Sequence, residues 1–216
     1  MSLITKAELI NDLKSLGVIK GDILNVKASL RSIGNIEGGA KSLIEALIEC
    51  VGEEGTIITD SFISCYRIFS FKFWKNISSK TSPSYAGALA NAMINYRSSI
   101  RSNHPIQKFC LIGKHAKNLA KNHTSEKSAY EILQIIAEMG AKNLKIGSEE
   151  KVIGVGTTHV AIVKSKKRQL RDIVGVRYLD TNKQVKKFML NWSGACARAI
   201  YELNNLYNTN PNYLIS

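Results

Sequence analysis

Proline is nearly absent, with three residues in a chain of 216. No proline-rich, glycine-rich or serine-rich linker, internal repeat or low-complexity run breaks the sequence. Residues 1–216 therefore read as a single domain, a size that can bury one substantial core. Apolar runs are short. None approaches the roughly 20 residues that a membrane helix requires, so neither a span nor a membrane partner is expected. The N-terminal "MSLITKAELINDLKSLG" is amphipathic, not basic and then apolar, and does not read as a signal peptide. A cytoplasmic location is the expectation. Cysteine is scarce. Cys50, Cys65, Cys110 and Cys196 match neither a zinc spacing nor a CxxC motif. They read as small buried thiols, and no metal is expected.

Acid is also in short supply. Seventeen Asp and Glu face thirty Lys and Arg, for a formal net charge of +13. Residues 151–216 hold 11 basic and 3 acidic side chains, so the excess concentrates in the last third. Such a field attracts anions: nucleic acid, a membrane surface, or a phosphorylated cofactor or substrate. No aromatic-basic motif of a known nucleic-acid module appears, and no nucleic-acid partner is expected. Compositional drift in a chain rich in Lys, Ile and Asn is the plainer alternative.

Periodicity predicts strands interleaved with helices. Thr5 and Glu8 form a capping box before a helix over Lys6–Leu16 that stops at Gly17. A short strand follows at Asp22–Val26, then a glycine-punctuated loop, Ser29–Gly39. Ala40, Leu43, Ile44, Leu47, Ile48 and Val51 recur at helical spacing and predict a helix ending at Gly52. Strands are expected at Gly55–Thr59, Lys108–Gly113 and Lys151–Gly156, and helices at Tyr85–Tyr96, Lys114–Asn122, Ala129–Met139 and Cys196–Leu206. "IVGVRYL" and "QVKKFML" read as a hairpin turning at Asp180–Lys183. The fold class is α/β, a single domain with a mixed, mostly parallel sheet flanked by helices. Residues 60–84 are aromatic, basic and irregular, and could form a lid over a substrate.

Ligands in open α/β sheets gather at the loops leaving the C-terminal ends of strands. Three loops qualify: Ser29–Gly39, the one after Thr59, and "GVGTTHVAIVKSKKRQLR" (Gly154–Arg171), which holds His159. A histidine at a strand mouth suits a general base, but the next acid after it is Asp172. The alternative is a hydrogen-bonded structural histidine. "SLRSIGNIEGG" offers hydroxyls, a guanidinium and glycine-exposed amides ahead of a helix, an arrangement suited to anions. His104 precedes Pro105, whose ring holds that residue extended, and could fix an imidazole near a site or simply brace a loop. His115 and His123, on or beside a polar helix, are expected to be solvated. The basic run Lys164–Arg171 is either a solvated loop or an attractor for an anionic ligand.

Three blocks resemble the aminoglycoside 3-N-acetyltransferase (antibiotic acetyltransferase) family. They are "LKSLGVIKGDILNVKASLRSIGNIEGGAKSLIEALIECVGEEGTI", "GALANAMINYRSSIRSNHPIQKFCLIGKHA" and "VIGVGTTH". The C-terminal "ARAIYELNNLYNTNPNYLI" is a weaker match. The resemblance implies an acyltransferase that moves an acetyl group from acetyl-CoA to an amine on a sugar, with no metal. It maps the family's base to His159 and its CoA contacts to Ser29, Leu30, Arg31, Ser32 and Gly34, with Arg101 and Ser102 as second choices. Two departures stand out. The family's glutamate three residues after the base is Ile162 here, and Lys27-Ala28-Ser29-Leu30 stands where the family commonly has His-Ser-Ser-Leu. Asp60, Glu37 or a backbone carbonyl would have to orient His159 instead, with His104 as further support. The missing glutamate and the basic composition favour a less cationic acceptor, such as a nucleotide-linked amino sugar of surface-polysaccharide synthesis. A family member that only binds CoA is the other alternative. A homo-oligomer is compatible with all three.

Overall fold

In the computed structural model, residues 3–127, 129–147 and 172–192 are described. The elements in chain order are α1 (Lys6–Ser15), β1 (Ile23–Ala28), α2 (Leu30–Ile33), α3 (Ala40–Val51), β2 (Thr56–Asp60), β3 (Tyr66–Arg67), α4 (Phe71–Lys75), β4 (Ile77–Ser78), α5 (Ala88–Ile94), β5 (Ile100–Arg101), β6 (Phe109–Gly113), α6 (Ala116–Asn122), α7 (Glu131–Glu138), β7 (Lys142–Ile146), β8 (Asp172–Leu179) and β9 (Val185–Trp192). The strand expected at Lys151–Gly156 and the helix expected at Cys196–Leu206 lie outside the described residues, as do His159, Ile162 and the run Lys164–Arg171.

The capping box forms as expected. Glu8 N–H donates to Thr5 Oγ1 at 3.3 Å, and Thr5 N–H donates to the Glu8 carboxylate at 2.8 Å. Helix α3 occupies Ala40–Val51, as its spacing predicts, and its apolar stripe is buried. The hairpin also forms, with Asp172–Leu179 paired antiparallel to Val185–Trp192. Ser29–Gly39 is not wholly loop, because Leu30–Ile33 makes one helical turn that Gly34 ends at φ 108°.

The main sheet has the order β5-β6-β2-β1-β7. β1 runs parallel to β2 and to β7, while β6 is antiparallel to β2 and β5 antiparallel to β6. Strand alternation sends side chains to two faces. Leu24, Val26, Ile57, Cys110 and Ile112 join α1, α3 and α5 in one core, and Ile58, Phe109 and Leu111 join α6 and α7 in the other. Helices thus cover both faces of a mixed sheet. A second sheet sets β3 and β4 along one edge of β8, with β9 on the other. It carries a small core of Ile63, Val176 and Tyr178, against which Ile106 and Phe188 pack. Residues 60–84 contribute β3, α4 and β4 to this part of the molecule. Among the described residues no helix is long and apolar enough to cross a membrane.

The topology fixes where a site can sit. β1, β2 and β7 are parallel, so their C-terminal ends share one edge of the sheet. β6 runs the other way and starts there, with Phe109 opposite Asp60. Ser29, Asp60, Lys108 and Gly147 are thereby brought to one edge from distant parts of the chain.

Candidate active site

The Ser29–Gly34 turn begins where β1 ends. Ser29 N–H donates to Ile146 O at 3.0 Å, which ties the turn to the end of β7, and Ser29 Oγ lies 2.8 Å from Ser32 Oγ. Gly147 follows β7 at φ 68°, and a Cβ there would stand 2.7 Å from Ser29 O and 2.5 Å from Ile33 Cγ1. Only glycine lets the end of β7 approach the turn so closely. Arg31 and Ser32 are exposed on the turn, and Leu30 and Gly34 are half-buried.

One strand over, Asp60 ends β2 and is buried. Its Oδ1 accepts from Gln107 Nε2 at 2.9 Å, and Lys27 Nζ stands 3.4 Å from its Oδ2. Burial pushes the Asp60 carboxyl up from its ordinary value, opposed by Lys27 and Gln107. Lys27 therefore links the C-terminal ends of β1 and β2.

His104 is 2 % exposed. Its Nδ1 accepts from the amides of Gln107 at 2.9 Å and Ile106 at 3.3 Å. An Nδ1 that accepts two N–H groups carries no proton, so the neutral ring is protonated on Nε2. Burial, His123 and Lys108 push the His104 pKa down to about 3. The ring stacks on His123 with centroids 4.9 Å apart, and Phe188 of β9 meets it edge-on at 5.3 Å. His123 is 1 % exposed and lies 3.1 Å from Ser102 Oγ through its Nδ1. The expectation that His123 is solvated is corrected: it follows α6, whose other face is polar, but its own ring turns into the core against Phe109. His115 is half-buried.

Lys108 enters the same cluster. Its amine is almost wholly buried and donates to His104 O at 2.7 Å. Burial, with Arg101 and Lys80 nearby, pushes its pKa down to about 7. The guanidinium of Arg101 donates to Ser61 O at 2.7 Å, to Lys80 O at 3.0 Å and to Ser82 O. Those three carbonyls hold the segment after β2 and the Lys80–Ser82 turn against β5. Ser102 is fully buried, and its hydroxyl accepts from Phe109 N–H at 3.0 Å.

The structure thus gathers Asp60, Arg101, Ser102 and His104 into one buried polar cluster, with the Ser29–Gly34 turn on the adjacent strand. Glu37 stands apart. It is exposed beyond α2, and its amide donates to Ile4 O at 2.9 Å, so it does not leave a strand end as Asp60 does. Lys27, Gln107, Lys108 and His123 complete the cluster and were not singled out as site residues. One signal was available: alternation through "KFCLIG" puts Lys108 on the same inward face as Cys110. Cys50 and Cys110 are buried and Cys65 is half-buried, while Cys196 lies outside the described residues. Among the described residues no group of His, Cys, Asp and Glu could hold a metal ion.

Comparison with known proteins gives the family and the fold. The profile of a family described as aminoglycoside 3-N-acetyltransferase matches residues 26–169. The SPbeta prophage-derived aminoglycoside N(3')-acetyltransferase-like protein YokD of Bacillus subtilis (strain 168) is 34% identical over 141 residues, covering 56% of this chain and 51% of its own. Aminoglycoside N(3)-acetyltransferase III of Salmonella sp is 30% identical over 132 residues, covering 55% of this chain and 46% of its own. The chain spans about half the length of these curated relatives. A solved structure described as AAC-IIIb binary with CoASH superposes with a TM-score of 0.73 at 19% identity, covering 89% of this chain and 78% of that one. At that identity the likeness is one of fold.

Proposed function

Because the chain belongs to the aminoglycoside 3-N-acetyltransferase family, we propose that it transfers an acetyl group from acetyl-CoA to an amine on an amino sugar. One observation carries the reading. The Ser29–Gly34 turn and the buried Asp60–Gln107–His104 cluster stand at one edge of the sheet, joined through Lys27 and Asp60. A donor and its reacting groups can meet there. The fold neighbour solved with CoASH supports CoA as the donor.

Acyl transfer from a thioester needs a neutral amine. The amine attacks the thioester carbonyl, the thiolate of CoA leaves, and a base takes the ammonium proton. This reading gives that proton to His159. His104 does not suit the task, because a ring whose pKa lies near 3 takes up almost no proton at neutral pH. It serves as a positioning residue for the Gln107 amide and, through its carbonyl, for Lys108. In this reading buried Asp60, in preference to the exposed Glu37, takes the role of the missing glutamate and steadies the imidazolium. Ser29, Leu30, Arg31, Ser32 and Gly34 hold the phosphates of CoA. Arg101 and Ser102 support them from behind by fixing the segments that border the cluster. Oriented general-base catalysis is worth about 10²–10⁴-fold, so a base held by a substitute acid still leaves measurable turnover.

A second reading of the acceptor has its own support. Polycationic aminoglycosides are drawn to acidic pockets, and this chain is basic, with a formal net charge of +13. A nucleotide-linked amino sugar suits that charge better. The test is release of CoA thiol from acetyl-CoA across a panel of aminoglycosides and nucleotide amino sugars, with His159→Ala alongside. Release with one class, abolished in the variant, supports the enzyme, its acceptor and its base together. Release that persists in His159→Ala removes the base. No release with any acceptor leaves a CoA-binding protein without turnover.

A further inference from the structure

A cleft of about 750 Å³ opens beside the buried cluster, between the Ser79–Thr81 turn, Asn103, Lys108 and the turn joining β8 to β9. That volume lies in the range of small-molecule sites. Four lysines line it: Lys80, Lys108, Lys183 and Lys186. Its acids are Asp180 and Glu126. Asp180 is already satisfied, since Lys186 Nζ stands 2.7 Å from its carboxylate and the amides of Asn182 and Gln184 donate to it at 2.8 and 2.9 Å. Lys80 and Lys183 have no ion-pair partner among the described residues, and Lys108 has only a backbone carbonyl. The cleft therefore holds a surplus of positive charge beside the hydroxyls of Ser79, Thr81 and Thr124.

We propose that this cleft binds a phosphate-bearing group, and that the group belongs to the acceptor: an anionic amino sugar of the nucleoside-diphosphate kind. Lysine amines and hydroxyls at close range form charge-assisted hydrogen bonds to phosphate oxygens. A desolvated amine such as Lys108 gains most from an arriving anion, because it has lost its water and has no carboxylate in exchange. Strand order argues for the acceptor over the donor. Lys108 immediately precedes β6 and Ser29 immediately follows β1, with β2 between those strands, so the two stand two strand spacings apart, about 10 Å. Asp60 lies on the strand between. The Ser29–Gly34 turn and Lys108 therefore stand on opposite sides of Asp60.

The word acceptor rests on the acyl-transfer reading; the anion site itself does not. The experiment is isothermal titration calorimetry on the full chain, with uridine diphosphate in one series and CoA in the other. The two exposed lysines are changed together in the variant Lys80→Gln/Lys183→Asn, which spares the core and keeps a residue tolerant of the positive φ of Lys183, 61°. The expected result is a uridine diphosphate Kd about tenfold higher in the variant, with CoA affinity unchanged within a factor of two. The wild-type affinity should also weaken as salt rises. No binding of uridine diphosphate, or equal binding by both proteins, overturns the proposal. Parallel loss of CoA affinity assigns the cleft to the donor and overturns it as well. Uridine diphosphate binding that depends on these lysines, with no thiol release from any amine, sustains the anion site while removing the acyl-transfer reading.

Discussion

Replacing Lys108 with methionine should raise stability at neutral pH and remove the rise of stability that this amine imposes between pH 7 and pH 9. Lys108 is 3 % exposed, and its amine donates one hydrogen bond, to His104 O. Burial, Arg101 and Lys80 hold its pKa near 7 in the folded protein, against an ordinary value of 10.5. In the unfolded chain the amine keeps its proton until about pH 10.4. Between those values the unfolded state binds the proton and the folded state does not, so stability rises with pH. Below pH 7 both states are protonated and the full penalty applies, about 5 kcal/mol for a shift of this size. From pH 7 to pH 9 about 2 kcal/mol of it is recovered. For a domain of this length that is about 4–8 °C in Tm. Methionine fills similar space without a charge. It leaves His104 O unpaired at about 1–3 kcal/mol, so the net gain at pH 7 is about 2 kcal/mol. The buried thiols Cys50 and Cys110, whose pKa values are raised, act oppositely at high pH and are present in both proteins, so they cancel in the comparison. Differential scanning calorimetry at pH 7, 8 and 9 decides. Equal slopes for wild type and Lys108→Met would refute the placement of this amine.

Asp60→Asn should lower kcat by about 10- to 100-fold in the thiol-release assay, because the amide cannot steady an imidazolium; an unchanged kcat would remove Asp60 from the proton path. Gly147→Ala should cost about 1–3 kcal/mol in urea unfolding and raise the KM for acetyl-CoA, since its Cβ would press on Ser29 O at 2.7 Å and Ile33 Cγ1 at 2.5 Å. Stability and KM equal to wild type would show that β7 does not shape the Ser29–Gly34 turn. Arg101→Met leaves three carbonyls without their donor and should cost about 3 kcal/mol or more, with faster proteolysis within the Lys80–Ser82 turn. Wild-type stability with weaker CoA binding would instead make this guanidinium a phosphate ligand.

Much of the scaffold was legible because it obeys local rules. The Thr5–Glu8 capping box, the apolar stripe of α3 between Gly39 and Gly52, and the Asp180–Lys183 turn each depend on residues a few positions apart. Four strands escaped that kind of reading: β3 and β4, which are two residues each within the irregular stretch 60–84, and β5 and β7. β5 is two residues long, and among the described residues its strand partner is β6. β7 reads Lys-Asn-Leu-Lys-Ile, too polar to be read as a core strand, and among the described residues it has one strand neighbour, β1. Its Asn143 is instead paired with the buried Asn25 at 2.8 Å across the β1–β7 ladder.

The site divides the same way. By itself the sequence determined the family, the α/β layering, the anion-suited segment that starts at Ser29 and the place of Asp60 at the end of a strand. Hydrophobic period, glycine punctuation and motif order are properties of neighbouring residues, and they survive without the fold. Only tertiary structure decided what the polar residues do. It buried His123 against His104, gave Arg101 three carbonyls, left Glu37 exposed, and stripped Lys108 of water beside two other cations. Burial and charge pairing depend on contacts between residues far apart in the chain, such as Gln107 with Asp60 or Lys108 with Lys80, and no local pattern encodes them.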